Sequence, residues 1–208
     1  MIRKMNFSIV AVALTLGVLF STASAEKFYI AGMPETDSVI FASDAKLEFI
    51  EGKTNAVIGL IEFDPTNTQT PCTGHLRVEA KTLKTGIDLR DQHMRERHLH
   101  TEQYPYIDFV LKSVAGLPAQ LPSSGSTKFQ INGEFTVHGT TKPISAPATV
   151  ELLPASGAAK SVLVTASFNI KLDDYGVPRP KMLLLKLAET INIRVRFIAS
   201  TANPPVTF

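Results

Sequence analysis

The sequence predicts an all-β protein of about eight antiparallel strands with one short helical connection near residues 86–102. Three observations support this fold class. Apolar and polar residues alternate with period two over most of the chain, and short turn-forming segments separate the alternating runs. The alternation stops clearly only once, between Lys84 and Phe109. Strands joined by short turns pair as antiparallel neighbours, whereas parallel strands need long crossover connections.

Residues 1–25 have the pattern of a cleavable signal peptide. Arg3 and Lys4 precede the apolar segment Phe7–Phe20, and the small residues of Ala23–Ala25 fit the cleavage pattern. The apolar segment is shorter than the ~20 residues that a spanning helix needs. We therefore expect cleavage after Ala25, a periplasmic or secreted protein, and no transmembrane segment.

Residues 26–208 suit a single domain, since domains typically contain ~100–200 residues. Removing Arg3 and Lys4 from the 21 basic residues leaves 19, which equals the 19 acidic residues. A chain without net positive charge lacks the attraction for phosphate groups on which nucleic-acid binding depends. The sequence therefore argues against a DNA or RNA partner.

Cys72 is the only cysteine, so the chain forms no intramolecular disulfide. Pro71 precedes it and Gly74 follows closely, which predicts an exposed loop. A tolerated loop thiol and a reactive or intermolecular thiol both fit this pattern.

Strand signals in the first half of the chain begin near Phe28. Short apolar runs at Val39–Ser43 and Ala45–Ile50 and a longer run at Asn55–Phe63 are separated by turn residues. His75–Leu83 then alternates clearly between apolar and polar side chains. These runs predict successive strands that lead up to the charged interruption.

The second half continues the pattern with runs at 107–112, 128–138, 144–153, 161–172 and 190–198. Lys128–His138 alternates most clearly, and Gly139–Lys142 predicts the hairpin turn that follows it. Pro147 lacks an amide hydrogen, so we expect an edge or a bulge at that point. Lys181–Leu187 is apolar without a clear period.

An antiparallel meander of this size can close into a barrel or fold as a two-sheet sandwich. Closure removes the exposed edges of long apolar strands, and eight strands enclose room for one small ligand. Small residues interrupt the apolar rows of the inner faces at Ala80, Gly133, Ala146, Ala148 and Ala166. This pattern favours a barrel with an open interior, and a barrel filled with side chains is the alternative.

The inner faces of the strands supply the predicted ligand contacts. An apolar ligand would be held there by burial, at roughly 25 cal/mol per Å² or about 0.8 kcal/mol per CH₂ group. The residues predicted to line this lumen are Leu76, Val78, Phe109, Phe129, Ile131, Gly133, Phe135, Val164, Phe168, Ile193 and Val195.

The charged interruption supplies a predicted polar rim. It contains His93, His98 and His100, and short histidine spacings are common in zinc sites. On a helix, His93 and His100 share a face but lie about two turns apart, while His98 points elsewhere. We therefore expect no metal site. The rim residues predicted to orient the polar end of a ligand are Arg90, His93, Arg97 and Tyr104.

The sequence carries no motif for nucleophilic or metal-dependent catalysis. It has neither a Gly-x-Ser-x-Gly elbow nor a His-Glu-x-x-His helix. Asp173 and Asp174 precede Gly176 in a predicted turn, where aspartate side chains favour local backbone hydrogen bonds. We expect no enzyme activity and no cofactor other than a bound lipid.

Three motifs together resemble the YceI-like family of exported, polyisoprenoid-binding proteins. They are the Arg90–Met94 segment leading to Tyr104-Pro105, the hairpin INGEFTVHGTTKPI at 131–144, and the turn FNIKLDDYG at 168–176. The resemblance extends from about residue 29 to residue 198. It implies a lipocalin-like, extended antiparallel barrel whose apolar lumen holds a long isoprenoid chain, as in quinones or polyprenyl lipids.

The sequence therefore leads to the hypothesis of an exported lipid-binding protein without catalysis. Its partner would be a long-chain isoprenoid or similar amphiphilic lipid, and a homodimer is left open. Two alternatives belong to other classes. One is a metal-dependent enzyme that uses the histidine-rich segment 93–100, and the other is a filled barrel with a structural or stress-related role.

Overall fold

The structure is a computed structural model that describes residues 25–45, 48–179 and 187–208. The predicted signal peptide, apart from its last residue, lies outside the described residues. The same holds for all but the last residue of the apolar run Lys181–Leu187.

Within the described ranges, ten strands form one antiparallel sheet, and a short helix interrupts their sequence. The strands are β1 (Glu26–Ala31), β2 (Ser38–Ala45), β3 (Glu48–Thr54), β4 (Val57–Phe63), β5 (Thr73–Glu79), β6 (Tyr106–Ala115), β7 (Ser126–Val137), β8 (Thr140–Leu152), β9 (Ser161–Lys171) and β10 (Thr190–Ser200). The helix α1 (Asp88–His93) continues into a π-helical turn over Met94–His98. Single 3₁₀ turns lie at Ala80–Thr82 and Leu172–Tyr175.

The ten strands occupy eight positions around a closed barrel. β2 and β1 follow one another along β10, because Asn192–Arg196 pairs with β2 and Ser200 pairs with Tyr29 of β1. β3 and β4 form the next position in the same way, since β3 pairs with β2 and β4 pairs with β1. The first two strand positions are therefore each broken in two, and the predicted eight-stranded closed barrel is confirmed.

Side chains satisfy the backbone where these two positions break. The buried carboxylate of Asp37 accepts hydrogen bonds from the amides of Met33 at 2.9 Å and Ile198 at 3.0 Å. The hydroxyl of Thr54 accepts one from the amide of Ala56 at 3.1 Å. A buried backbone amide without a partner would be costly, so these contacts stabilise both breaks.

The hairpin between β7 and β8 begins earlier than the sequence predicts. Its two loop residues are His138 (φ 52°) and Gly139 (φ 73°), while Thr140 already pairs with Val137. Two successive positive φ angles are typical of a type I′ turn, whose twist matches that of the flanking strands. The prediction that Gly139–Lys142 forms the turn is therefore wrong by about two residues.

Pro147 marks the end of pairing between β8 and β9. The ladder between these strands starts at Ala148–Ala166 and ends at Leu152–Val162. β8 residues before Ala148 pair with β7 only. The predicted edge at Pro147 is confirmed, and the missing amide hydrogen of proline is a physical reason for it.

Candidate functional site

An inner chamber of about 170 Å³ lies between the strands, and apolar side chains form almost all of its wall. Most of its lining comes from β2, β4 to β10 and the loop between β6 and β7. Ten of the eleven predicted lumen residues line this chamber, namely Leu76, Val78, Phe109, Phe129, Ile131, Phe135, Val164, Phe168, Ile193 and Val195. The barrel interior is thus open in part, and ligand contact by these residues stays a prediction.

Gly133 is the exception among the predicted lumen residues. A Cβ atom at this position would lie 2.5 Å from the ring of Phe109 and 2.5 Å from the carbonyl oxygen of Val110. The ring of Phe109 covers the glycine, so Gly133 is not part of the chamber wall. The glycine makes room for a neighbouring aromatic ring and leaves no open space of its own.

The other small residues of the inner faces divide into two groups. Ala166 lines the chamber, whereas Ala80, Ala146 and Ala148 are buried in packed parts of the wall. Ala166 is therefore the small residue of this set at which a larger side chain would enter the chamber.

Cys72 also lines the inner chamber, which corrects the expectation of an exposed loop thiol. It is half-buried and packs against the core cluster that includes Phe28 and Phe63. Burial raises the pKa of the thiol to about 11. The thiolate, which is the reactive form, is therefore scarce at neutral pH.

A mouth chamber of about 440 Å³ adjoins the inner chamber beneath α1. The two chambers share the side chains of Phe41, Leu83, Ile107, Phe135 and Ile193 in their walls. The mouth chamber is also lined by polar residues, which are Thr85, Arg90, His93 and His98. The two adjoining chambers thus run from an apolar interior to an opening with polar groups.

A small hydrogen-bond network seats α1 over the mouth. The buried carboxylate of Asp91 accepts hydrogen bonds from the amide of Thr85 at 2.7 Å and from its hydroxyl. Arg90 donates from Nε to the hydroxyl of Thr85 at 2.8 Å and from Nη2 to its carbonyl oxygen at 3.1 Å. Burial alone would raise the pKa of Asp91, but the Thr85 hydrogen bonds and nearby Arg95 bring it below its ordinary value.

The structure brings two of the four predicted rim residues to the mouth chamber. Arg90 and His93 line it, whereas Arg97 is exposed on the helix and lies outside the lining. Tyr104 packs on the ring of His138 with 4.5 Å between ring centroids. Arg97 and Tyr104 therefore do not form part of the mouth wall.

The histidines of the interruption bind different partners. His98 Nδ1 donates to the carbonyl oxygen of Pro178 at 2.7 Å, and His100 Nδ1 shares a 2.7 Å hydrogen bond with Nε2 of His138. Burial, followed by the charge of His100, lowers the pKa of His138. Over residues 25–45, 48–179 and 187–208, no three His, Cys, Asp or Glu side chains form an arrangement that could hold a metal ion.

His138 appears in the sequence only as the last residue of the predicted strand Lys128–His138, without a functional role. It connects the β7–β8 turn to the end of the helical segment through His100 and Tyr104. The sequence His138-Gly139 contains the one available signal, because a residue before glycine at the tip of a hairpin often needs a positive φ angle.

Closed eight-stranded antiparallel barrels form a class of proteins whose interior is either filled by side chains or holds one small ligand. The family model for the YceI-like domain matches residues 33–199. This chain belongs to the YceI-like family, which confirms the resemblance.

Relatives and solved structures agree with this assignment. A UPF0312 protein of Pseudomonas savastanoi pv. phaseolicola is 30% identical over 138 residues, covering 64% of this chain and 66% of the relative. A UPF0312 protein of Vibrio cholerae is 27% identical over 99 residues, covering 46% of this chain and 47% of the relative. The chain thus spans about half the length of the Vibrio relatives that it matches.

Two solved structures show the same fold. BcnA of Burkholderia cenocepacia is 16% identical with a TM-score of 0.62, covering 78% of this chain and 95% of that chain. A polyisoprenoid-binding domain of Saccharophagus degradans, described as implicated in plant cell wall breakdown, is 15% identical with a TM-score of 0.63. The match covers 84% of this chain and 98% of that domain.

In the described part of the chain, the helical segments are too short and too polar to cross a lipid bilayer.

Proposed function

We propose that this protein binds one long-chain isoprenoid or similar amphiphilic lipid, such as a quinone or a polyprenyl lipid. The chain of the ligand occupies the inner chamber and its polar end faces the mouth chamber. The observation that carries this proposal is the apolar inner chamber that adjoins a mouth with polar groups. The protein acts as a carrier or store of the lipid and catalyses no reaction.

Burial of the ligand chain supplies the affinity. Each CH₂ group removed from water contributes about 0.8 kcal/mol, so a five-carbon isoprene unit contributes roughly 4 kcal/mol before the costs of association. A few such units suffice without strong polar contacts. The polar groups of Arg90 and His93 then set the orientation of the ligand more than its affinity.

The likeness to a polyisoprenoid-binding domain and membership of the family support this ligand class. The signal-like pattern of residues 1–25 supports a periplasmic or secreted location.

The proposal is tested by native mass spectrometry and organic extraction of the protein purified from an exporting host. We expect close to one apolar ligand per chain. The variant Ala166→Phe should lose most of this ligand, because the new ring enters the inner chamber. Asn169→Phe is the matched control, because Asn169 is exposed and lies on the opposite face of β9.

An empty wild-type protein that takes up neither quinone nor polyprenyl lipid would contradict the proposal. Equal ligand recovery from the folded Ala166→Phe and Asn169→Phe variants would show that the ligand does not use the inner chamber.

A further inference from the structure

Three large apolar side chains are exposed beside the opening of the mouth chamber. Phe49 is 62% exposed, Ile87 53% and Leu89 62%. Ile87 and Leu89 also line the mouth chamber. Phe49 is next to Ile50, which lines the chamber too, and because successive strand residues face opposite sides, Phe49 projects from the outer face of β3 together with Lys53. We call Phe49, Ile87 and Leu89 the mouth lip. Large apolar side chains that stay exposed at one end of a barrel are candidates for an interaction surface.

Backbone pairing brings the two parts of the mouth lip together. Lys53 and Lys84 form an isolated antiparallel bridge, with N–H···O distances of 2.8 and 3.0 Å in the two directions. From this bridge, β3 runs back to Phe49 and the other segment runs forward to Ile87. Because the segments are antiparallel, Phe49 and Ile87 lie towards the same end of the barrel.

The same bridge places two positive charges side by side. Lys53 and Lys84 are both exposed and, as directly opposed residues of an antiparallel pair, project from the same face. Like charges in such positions repel each other. An anionic surface against this face would remove the cost of holding them together.

Acidic groups near the mouth lip do not cancel this charge fully. Glu51 on β3 is paired with Arg194 at 2.6 Å. Asp88 is exposed between Ile87 and Leu89 at the first turn of α1. Among the described side chains near the mouth lip, Glu51 is thus neutralised by an arginine, and Asp88 is exposed.

We propose that the mouth lip and the Lys53–Lys84 pair dock onto the surface of a lipid bilayer that contains anionic lipids. The apolar side chains enter the boundary between headgroups and acyl chains, and the ammonium groups reach the phosphates. This inference rests on the proposed function, since a water-insoluble chain could then pass from the bilayer into the mouth chamber without crossing water.

A bilayer suits this surface better than a second copy of the chain. The three side chains expose roughly 300 Å². A stable protein interface needs about 800 Å² from each partner. A bilayer has no such requirement, because insertion of a few apolar side chains and attraction of lysines to anionic headgroups suffice for reversible binding.

The test is co-sedimentation with vesicles of phosphatidylcholine alone and of phosphatidylcholine mixed with phosphatidylglycerol. The protein is produced with its leader in an exporting host, and its mass is checked for an N-terminus at Glu26. We expect binding to the anionic vesicles, with Lys53→Gln/Lys84→Gln weakening it roughly 10- to 30-fold. Ile87→Ser/Leu89→Ser should abolish measurable binding.

Matched controls change the same chemistry elsewhere. Lys27→Gln/Lys128→Gln removes the same charge from other strands, and Met33→Ser removes an apolar side chain that is 37% exposed between β1 and β2. These variants should bind anionic vesicles like the wild type. Absence of vesicle binding, or equal loss in the controls and the lip variants, would overturn the proposal. Formation of lip-dependent dimers without vesicle binding would also overturn it.

A second measurement separates this inference from the proposed function. A quinone with a long isoprenoid tail, delivered from cyclodextrin, should load the Lys53→Gln/Lys84→Gln variant to the same stoichiometry as the wild type, because neither lysine lines the inner chamber or the mouth chamber. Normal loading without vesicle binding would refute the docking surface alone. Lip-dependent vesicle binding without any quinone loading would refute the proposed function and leave the docking surface standing.

Discussion

The inner chamber and the mouth chamber are built in different ways. Strands supply most of the wall of the inner chamber, so the regular backbone ladders around the barrel fix its shape. The mouth chamber shares part of this strand wall, but it is also bounded by α1 and by single turns, which a few side-chain hydrogen bonds hold in place. Changes in the first region should therefore affect the whole fold, whereas changes in the second should act locally.

The largest effect is expected from Gly133→Ala in the wall of the barrel. Its new methyl group would meet the Phe109 ring and the Val110 carbonyl oxygen at 2.5 Å, and the carbonyl group cannot move without disturbing the strand. We expect a loss of roughly 1–3 kcal/mol in the free energy of unfolding, measured by urea denaturation.

Gly74→Ala is the matched control, because Gly74 is likewise a glycine within a barrel strand, and its side of the strand lines the inner chamber. Its nearest atoms would lie 3.5 to 3.6 Å from the new methyl group, which is an ordinary contact distance. Removing glycine should stabilise the protein by about 0.4–1 kcal/mol through the unfolded chain. Similar stabilities for the two variants would contradict the different packing of these glycines.

A smaller and more local effect is expected from Asp91→Ala at the mouth. The variant leaves the amide and hydroxyl of Thr85 without their acceptor, at a cost of roughly 1 kcal/mol. Asp91→Asn keeps a carbonyl oxygen and should lose less. Limited trypsin digestion should cut faster at the arginines of the helical segment in the alanine variant, while the barrel stays folded.

Loss of the whole barrel at the same denaturant concentration as local cleavage would show that mouth and barrel unfold together. The comparison between the two chambers would then fail.

The pKa of Asp91 lies below its ordinary value of 3.8, so the contribution of its carboxylate to the free energy of unfolding is present above that pH and is lost as the pH falls further.

The smallest effect concerns His138, whose pKa is lowered from the ordinary value of 6.5. The folded chain then binds fewer protons at this group than the unfolded chain, so stability falls as the pH drops below 6.5. His138→Asn should reduce this pH dependence, because asparagine tolerates the φ angle of 52° and does not titrate. Urea denaturation at pH 7.5 and pH 5 measures the difference, and an unchanged pH dependence would contradict it.

The sequence predicts the regular part of this fold well, because strand alternation assigns each side chain to one of two faces. This alternation is enough to place residues such as Phe129 and Val195 on the inner wall of the barrel. It cannot show that Phe109, from a neighbouring strand, covers Gly133, since this depends on the direction of one ring.

The irregular parts were harder to predict for a related reason. Turn-forming neighbours suggested an exposed position for Cys72, but the turn ends just before β5 and the side chain faces inward. Helical spacing gave candidates for the rim without fixing the rotation of the helix. The contacts of Thr85 with Arg90 and Asp91 set that rotation, and they are local side-chain bonds that no periodicity reveals.

The short ladder between β8 and β9, which stops at Pro147, is a weak connection in the wall of the barrel. Five residue pairs join β8 to β9, whereas six join β4 to β5, six join β5 to β6, eleven join β9 to β10 and twelve join β7 to β8. If a ligand pushed the strands apart, two neighbouring strands would separate most easily where the fewest backbone hydrogen bonds join them. A bulky ligand inside the barrel would therefore separate β8 from β9 first at the pair Ala148 and Ala166, where the ladder ends and the side chains are single methyl groups.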